Sequence, residues 1–283
     1  MKYSELKKQI ERKKSLLCIG LDTDFDKIPK HLLKKEDPVF EFNKQIIDAT
    51  HDLAIAYKPN TAFYEALGHK GWLSLEKTSK YLSEKHPSIL NIADAKRGDI
   101  GNTSAKYAKA FFETMNFDAI TINPYLGKDA VSEFLKYENK WVVLIGLSSN
   151  PSSYDIQLIQ EIESRDYIFE KVIRYGKWWG TEQNMMFVVG ATMSYKLRQV
   201  RHIIPDHFLL IPGIGSQGGN LEEVCKYGLN ENFGLIINAS RSIIHADNTE
   251  KFAEVAREKA LGYQTQMAKI LENFNKKGRR RRR

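Results

Sequence analysis

Two aspartates bracket a lysine in Asp94-Ala-Lys96-Arg-Gly-Asp99-Ile100-Gly-Asn-Thr103, and residues 90–94 leading into them have the near-continuous apolarity of a covered strand. Carboxylates beside an ammonium favour its charged form while withdrawal from water opposes it, so the flanking acids decide the balance. Asp94 and Lys96 lie two residues apart, which on an extended strand puts them on one face. A cation held this way suits proton donation, whereas a Schiff-base lysine would need a depressed pKa. The same triplet could simply close a strand end as an ion pair, a contact worth little on a surface. The elements around it have to decide.

Eight short apolar runs, at 16–22, 53–60, 90–96, 118–124, 141–147, 185–191, 207–213 and 234–240, alternate with amphipathic stretches at 39–52, 72–85, 102–115, 166–178, 194–204 and 221–227. This rhythm predicts parallel strands joined by crossover helices, and eight such units predict an α/β fold of the (β/α)8 TIM-barrel type. An open doubly wound sheet would also repeat βα units. The strand ends favour the barrel: Asp22, Lys58, Asp94 with Lys96, Asn123, Ser148 with Ser149, Thr192, Gln217, and Ser240 with Arg241 would all converge on one C-terminal mouth. Asp22, Lys58, Asp94 and Lys96 would then alternate in sign around one rim, suited to ribose hydroxyls and a charged reacting centre. The long interruption 148–179 reads as a loop over that mouth, or as an ordinary long connection.

After the seventh run, Pro212-Gly213-Ile-Gly215-Ser-Gln217-Gly218-Gly219 contains a literal G-x-G-x-x-G. A dinucleotide site would place an acid about 20 residues on, at the end of the next strand, where this chain has Asn238-Ala-Ser240-Arg241. A phosphate site built from the loops after strands seven and eight fits better, with exposed backbone N–H groups and the bidentate guanidinium of Arg241. No metal is expected, because Lys58 and Lys96 compete for the carboxylates of Asp22, Asp94 and Asp99, and the seven histidines show no ligand spacing.

The 283 residues are 42% hydrophobic and 28% charged, ordinary for a globular domain. Seven of the net +8 charges come from Lys276, Lys277 and arginines 279–283, so the body is nearly neutral and nucleic-acid binding by the fold is not expected. The expectation is one barrel domain over 1–275 and a disordered basic tail over 276–283. Two distant cysteines and no apolar stretch of membrane length predict a reducing, cytoplasmic setting without membrane association.

Taken in order, GLDTD at 20–24, KPNTAFYEALG at 58–68, DAKRGDIGNT at 94–103, NPYLG at 123–127, SSNPSS at 148–153, VVGAT at 188–192, PGIGSQGG at 212–219 and NASRSI at 238–243 resemble the orotidine 5′-monophosphate decarboxylases, in their bacterial longer-chain subgroup. The resemblance implies decarboxylation of orotidine 5′-monophosphate (OMP) to uridine 5′-monophosphate (UMP), the last step of de novo pyrimidine nucleotide synthesis, with no cofactor. It makes Lys96 the acid that protonates C6, flanked by Asp94 and Asp99, with Lys58 and Asp22 completing the array and holding ribose hydroxyls. It implies a homodimer in which Asp99, Ile100 and Thr103 enter the neighbouring subunit's site. Ser149 matches the serine at the pyrimidine amide edge, with Ser148 one place away as the alternative. Pro212 would pack near the base, and Gln217 with Arg241 would grip the 5′-phosphate, in a pocket to which Asn123, Gly215 and Ser240 also belong. Two other readings are a magnesium-dependent sugar-phosphate decarboxylase or aldolase of the same superfamily, and a non-catalytic nucleotide or RNA binder using the basic tail.

Overall fold

The computed structural model describes residues 1–215 and 218–281, with side chains only as far as residue 276. Eight strands, β1 (Leu17–Gly20), β2 (Ala56–Lys58), β3 (Leu90–Arg97), β4 (Ala119–Ile122), β5 (Trp141–Leu147), β6 (Met185–Val189), β7 (Leu209–Pro212) and β8 (Leu235–Ala239), form a closed barrel in sequence order. Every neighbouring pair is parallel, and β1 closes on β8 through Leu17↔Ile237, Cys18↔Asn238 and Ile19↔Ala239. Covered by side chains within and by helices without, the strands are buried almost end to end, which is why they read as unbroken apolar runs.

The helices are α1 (Tyr3–Lys13), α2 (Pro38–Thr50), α3 (Thr61–Glu65), α4 (Gly68–Lys85), α5 (Gly101–Lys109), α6 (Asp129–Leu135), α7 (Ile168–Trp179), α8 (Leu197–Ile203), α9 (Leu221–Gly228), α10 (Arg241–Ile244) and α11 (Phe252–Arg281). The stretch expected at 102–115 is α5 followed by a π-helical turn, Ala110–Thr114, and that at 194–204 is a 3-10 segment, Ala191–Lys196, running into α8. The backbone of α11 stays helical to Arg281, reaching into the stretch 276–283 for which the sequence predicts disorder. No described helix is long and apolar enough to cross a membrane.

The end of the barrel opposite the strand C-termini is closed by α1. Its buried residues Tyr3, Leu6 and Ile10 face the barrel, and the Tyr3 ring sits 5.1 Å from Phe208 and 6.3 Å from Trp141. Trp141 Nε1 donates to the carbonyl of Met1 at 2.8 Å. Nearby, the Arg201 guanidinium donates to the carbonyls of Gly228, Ile204, His207 and Gly234 and so braces the turns before β7 and β8. Burial lowers its pKa to about 9, which leaves it charged at neutral pH.

His207 occupies the same floor, edge-on to Phe187 at 5.5 Å, with neither ring nitrogen bonded to a described residue. Burial lowers its pKa to about 4. A histidine in the unfolded chain titrates near 6.5. Below that pH the unfolded chain takes up a proton that the folded chain refuses, so this contribution is complete above pH 6.5 and is lost as pH falls towards 4. His207→Phe should flatten the acid limb of a stability-versus-pH curve, by up to about 3 kcal/mol between those limits. Denaturant titrations at a series of pH values measure it, and parallel curves for the two proteins would refute it.

Candidate active site

Four consecutive strands deliver one charged cluster to the mouth. Lys58 ends β2, Asp94 and Lys96 lie near the end of β3, Thr121 is in β4, and Asp22 follows β1 by two residues. Lys58 Nζ is 2.9 Å from Asp94 Oδ2 and 3.7 Å from Asp22 Oδ1, and Lys96 Nζ is 2.6 Å from Asp94 Oδ1. The Thr121 hydroxyl donates to Asp94 Oδ1 at 3.1 Å and accepts the backbone N–H of Lys96 at 2.9 Å. Asn60 Nδ2 approaches Asp94 Oδ2 at 3.4 Å.

The two ammonium groups differ in setting: the side chain of Lys58 is 4% exposed and that of Lys96 is 53% exposed. Lys58 is thus a buried counter-ion, and Lys96 is the cation that a ligand can reach. Burial works against charge on Lys58, but Asp94 and Asp22 outweigh it and hold the ammonium above the ordinary lysine range. Burial likewise opposes ionisation of Asp94, and Lys58 with Lys96 holds that carboxyl well below the usual carboxylate range. Both oxygens of Asp94 are therefore engaged by cations. Among the described residues, no group of three or more His, Cys, Asp or Glu side chains is placed to hold a metal ion.

The local backbone departs from the straight alternation expected of Asp94 and Lys96. Lys96 has φ +47°, and the β3–β4 register shifts between Ala93 and Arg97, so a bulge brings the two side chains together. A left-handed conformation in a non-glycine residue costs about 1–3 kcal/mol. Neighbouring contacts fix it: Thr121 holds the Lys96 N–H, the Arg97 carbonyl accepts Asn123 N–H at 2.7 Å, and the Arg97 guanidinium pairs with Glu65 and lies 5.2 Å from the Tyr107 ring centre.

The remaining expected site residues divide into several groups. Asp99, half-buried, takes the Ile100 N–H at 2.8 Å and forms no ion pair with a described residue, so within one chain it does not join Asp94 and Lys96. Ile100 and Thr103, at the start of α5, are exposed. Asn123 is exposed and caps the 3-10 turn Pro124–Leu126 by accepting Tyr125 N–H at 3.1 Å. Ser149 packs against Gly190 at the end of β6. Ser148 is clamped by Gln157, whose Oε1 accepts its N–H at 2.7 Å and whose Nε2 donates to its hydroxyl at 2.8 Å.

Pro212 ends β7, and Gly213, Gly215 and Gly218 follow at φ +99°, +80° and +80°, a path open to residues without a side chain. Gln217 lies outside the described residues. The Ser240 hydroxyl donates to the Gly20 carbonyl at 3.1 Å, tying β8 to β1. Arg241 opens α10, exposed and without an ion pair to a described residue. Thr121, Asn60 and Gln157 escaped the sequence reading. Asn60 and Thr121 lie inside expected strand runs, whereas nothing in the sequence pairs Gln157 with Ser148.

A sequence profile described as the orotidine 5′-phosphate decarboxylase / HUMPS family matches residues 15–256. The chain belongs to that family. Orotidine 5′-phosphate decarboxylases from Phocaeicola vulgatus and Flavobacterium johnsoniae are 56% and 54% identical to it, each alignment covering 96% of this chain and 99% of the relative. The solved OMP decarboxylase of Leishmania donovani superposes with a TM-score of 0.78 at 33% identity, over 94% of this chain and 100% of that one.

In this member of the decarboxylase family the Lys58–Asp94 pair is buried, and removing one partner strands the other. Asp94→Asn should destabilise the fold by about 3 kcal/mol, and adding Lys58→Met should recover most of that loss. Urea titrations of the single and double variants read it directly. A double variant no more stable than Asp94→Asn would contradict the account.

Proposed function

We propose that this chain catalyses the cofactor-free decarboxylation of OMP to UMP, with Lys96 as the proton donor to C6. The observation that carries the reading is the Lys58–Asp94–Lys96 chain at the mouth, which holds one ammonium exposed and anchors it through a buried, ionised carboxylate. In the step itself the C6–carboxylate bond breaks and its electron pair stays on C6. That pair takes a proton from the Lys96 ammonium as carbon dioxide departs, and water then reprotonates the amine. No group on the pyrimidine delocalises the developing vinyl anion, so a preorganised cation must stabilise it, and that interaction belongs to the transition state rather than the ground state.

Asp94 would sit beside the departing carboxylate and keep Lys96 in place. Asp22, with Oδ1 buried and free of hydrogen bonds to described residues, would take ribose hydroxyls together with Lys58. Ser149 would meet the amide edge of the base and Pro212 its face, with Asn123 and Ser240 bordering the pocket. Gly215, Gln217 and Arg241 would hold the 5′-phosphate, and the exposure of Arg241, with no ion pair to a described residue, supports that assignment. Asp99, Ile100 and Thr103 would complete the site of a second copy in a homodimer, a role consistent with the exposure of Ile100 and Thr103. The magnesium-dependent sugar-phosphate alternative needs acids free to hold an ion, which the engagement of Asp94 by two ammonium groups disfavours. We read residues 1–275 as one catalytic domain, the basic segment 276–283 as outside the chemistry, and the protein as cytoplasmic.

Lys96→Ala should lower kcat for OMP by at least about a thousandfold, measured as loss of the substrate's ultraviolet absorbance in the presence of a chelator. Retained turnover, or wild-type turnover that requires added magnesium, would overturn the reading. Mixing Lys96→Ala with Asp99→Ala subunits should restore about a quarter of wild-type activity, since half the dimers would carry one intact site. Absence of recovery from exchanged dimers would remove the shared site.

A further inference from the structure

We propose that Tyr263, on α11, is a positioning residue for the 5′-phosphate, its hydroxyl clamping the Gly215 turn after β7 to the Arg241–Ser242 turn after β8. The inference rests on the reading of those two turns as the phosphate subsite. Tyr263 Oη lies 3.2 Å from Ser242 Oγ, next to Arg241 in the chain. On the other side it is seated against Gly215: a Cβ built there would fall 2.4 Å from the hydroxyl oxygen. Gly215 also has φ +80°, so both its conformation and this contact depend on the absence of a side chain.

Packing alone does not call for the hydroxyl. Along α11, Phe252, Ala256, Ala260, Met267 and Leu271 are buried, and Tyr263 falls on the same stripe between Ala260 and Met267. A phenylalanine would cover that stripe equally well. What the phenol adds is one polar atom that touches both turns, against Gly215 on one side and bonded to the Ser242 hydroxyl on the other. A turn of glycines loses more freedom on ordering than any other, so a fixed contact at Gly215 lowers the entropy lost when a phosphate binds.

The test compares kcat/KM for OMP with kcat/KM for orotidine, which lacks the phosphate. Tyr263→Phe should lower the first by about tenfold, mainly through KM, and leave the second and the thermal midpoint unchanged. Ser242→Ala should reproduce part of the OMP-specific loss, and the double variant should be no worse than Tyr263→Phe, because both remove one shared contact. An equal loss on both substrates would indicate a merely structural role and overturn the proposal. So would an unchanged value for OMP, or strictly additive losses. A wild-type protein inactive on OMP would instead overturn the proposed function, and this inference with it.

Discussion

One carboxylate shared between two ammonium groups organises the mouth of this barrel. Asp94 gives one oxygen to Lys58 and the other to Lys96, and the two contacts do different things. A buried charge persists only if it is paired, and Lys58, with Asp94 and Asp22 on either side, meets that condition. The pair then acts as a fixed dipole at the rim. Lys96 is held at its outer end, charged and accessible, without having to be buried itself. A lone lysine at that position would have a long flexible stem and no fixed direction, and ordering it against a ligand would cost entropy that the fold has already met.

The barrel supplies the spacing. Parallel strands in sequence order put the ends of β1, β2, β3 and β4 side by side, so residues far apart in the chain become neighbours within hydrogen-bond reach. Straight strands would not suffice, and the bulge in β3 supplies the rest. It places Lys96 in a left-handed conformation, and the strain is met by a hydroxyl on the next strand, since Thr121 binds both the Lys96 N–H and the Asp94 carboxylate. Strain localised at one residue and compensated by its neighbours is a common arrangement at functional sites.

How much of this could be read from the sequence follows from the same physics. Each of the eight strands lies within or across an expected apolar run, because burial on both faces leaves an unmistakable pattern. The helices α1, α3, α6, α10 and α11 lie outside the expected amphipathic stretches: α3, α6 and α10 span seven residues or fewer, α1 is strongly charged, and α11 carries a narrow apolar stripe among many polar residues. At the site, Asp22, Lys58, Asp94 and Lys96 were legible as charges at the ends of apolar runs, where solvated residues are out of place. Thr121 was not, since a threonine in a strand reads as a β-former. Gln157 and Tyr263 are invisible for a different reason: Gln157 meets Ser148 nine residues back in the same long connection and Tyr263 meets Ser242 across the turn after β8, and no local pattern encodes either contact. Asp99 was legible as the second acid flanking the lysine, yet within one copy its carboxylate takes the Ile100 N–H and forms no ion pair with a described residue.

The charged cluster and the glycine loop lie on different strands, yet the seam between β8 and β1 joins them. The Ser240 hydroxyl binds the carbonyl of Gly20, two residues before Asp22, while Arg241 and Ser242 follow directly in the chain. A phosphate that orders the β8 turn would therefore also fix the end of β1, and with it the carboxylate that supports Lys58. Binding energy gained far from the reacting carbon would in this way be converted into order at the reacting centre, where a barrier with no electron sink most needs it. The Ser240–Gly20 hydrogen bond adds to the backbone ladder between β8 and β1, so such a coupling would require no moving part beyond the turns themselves.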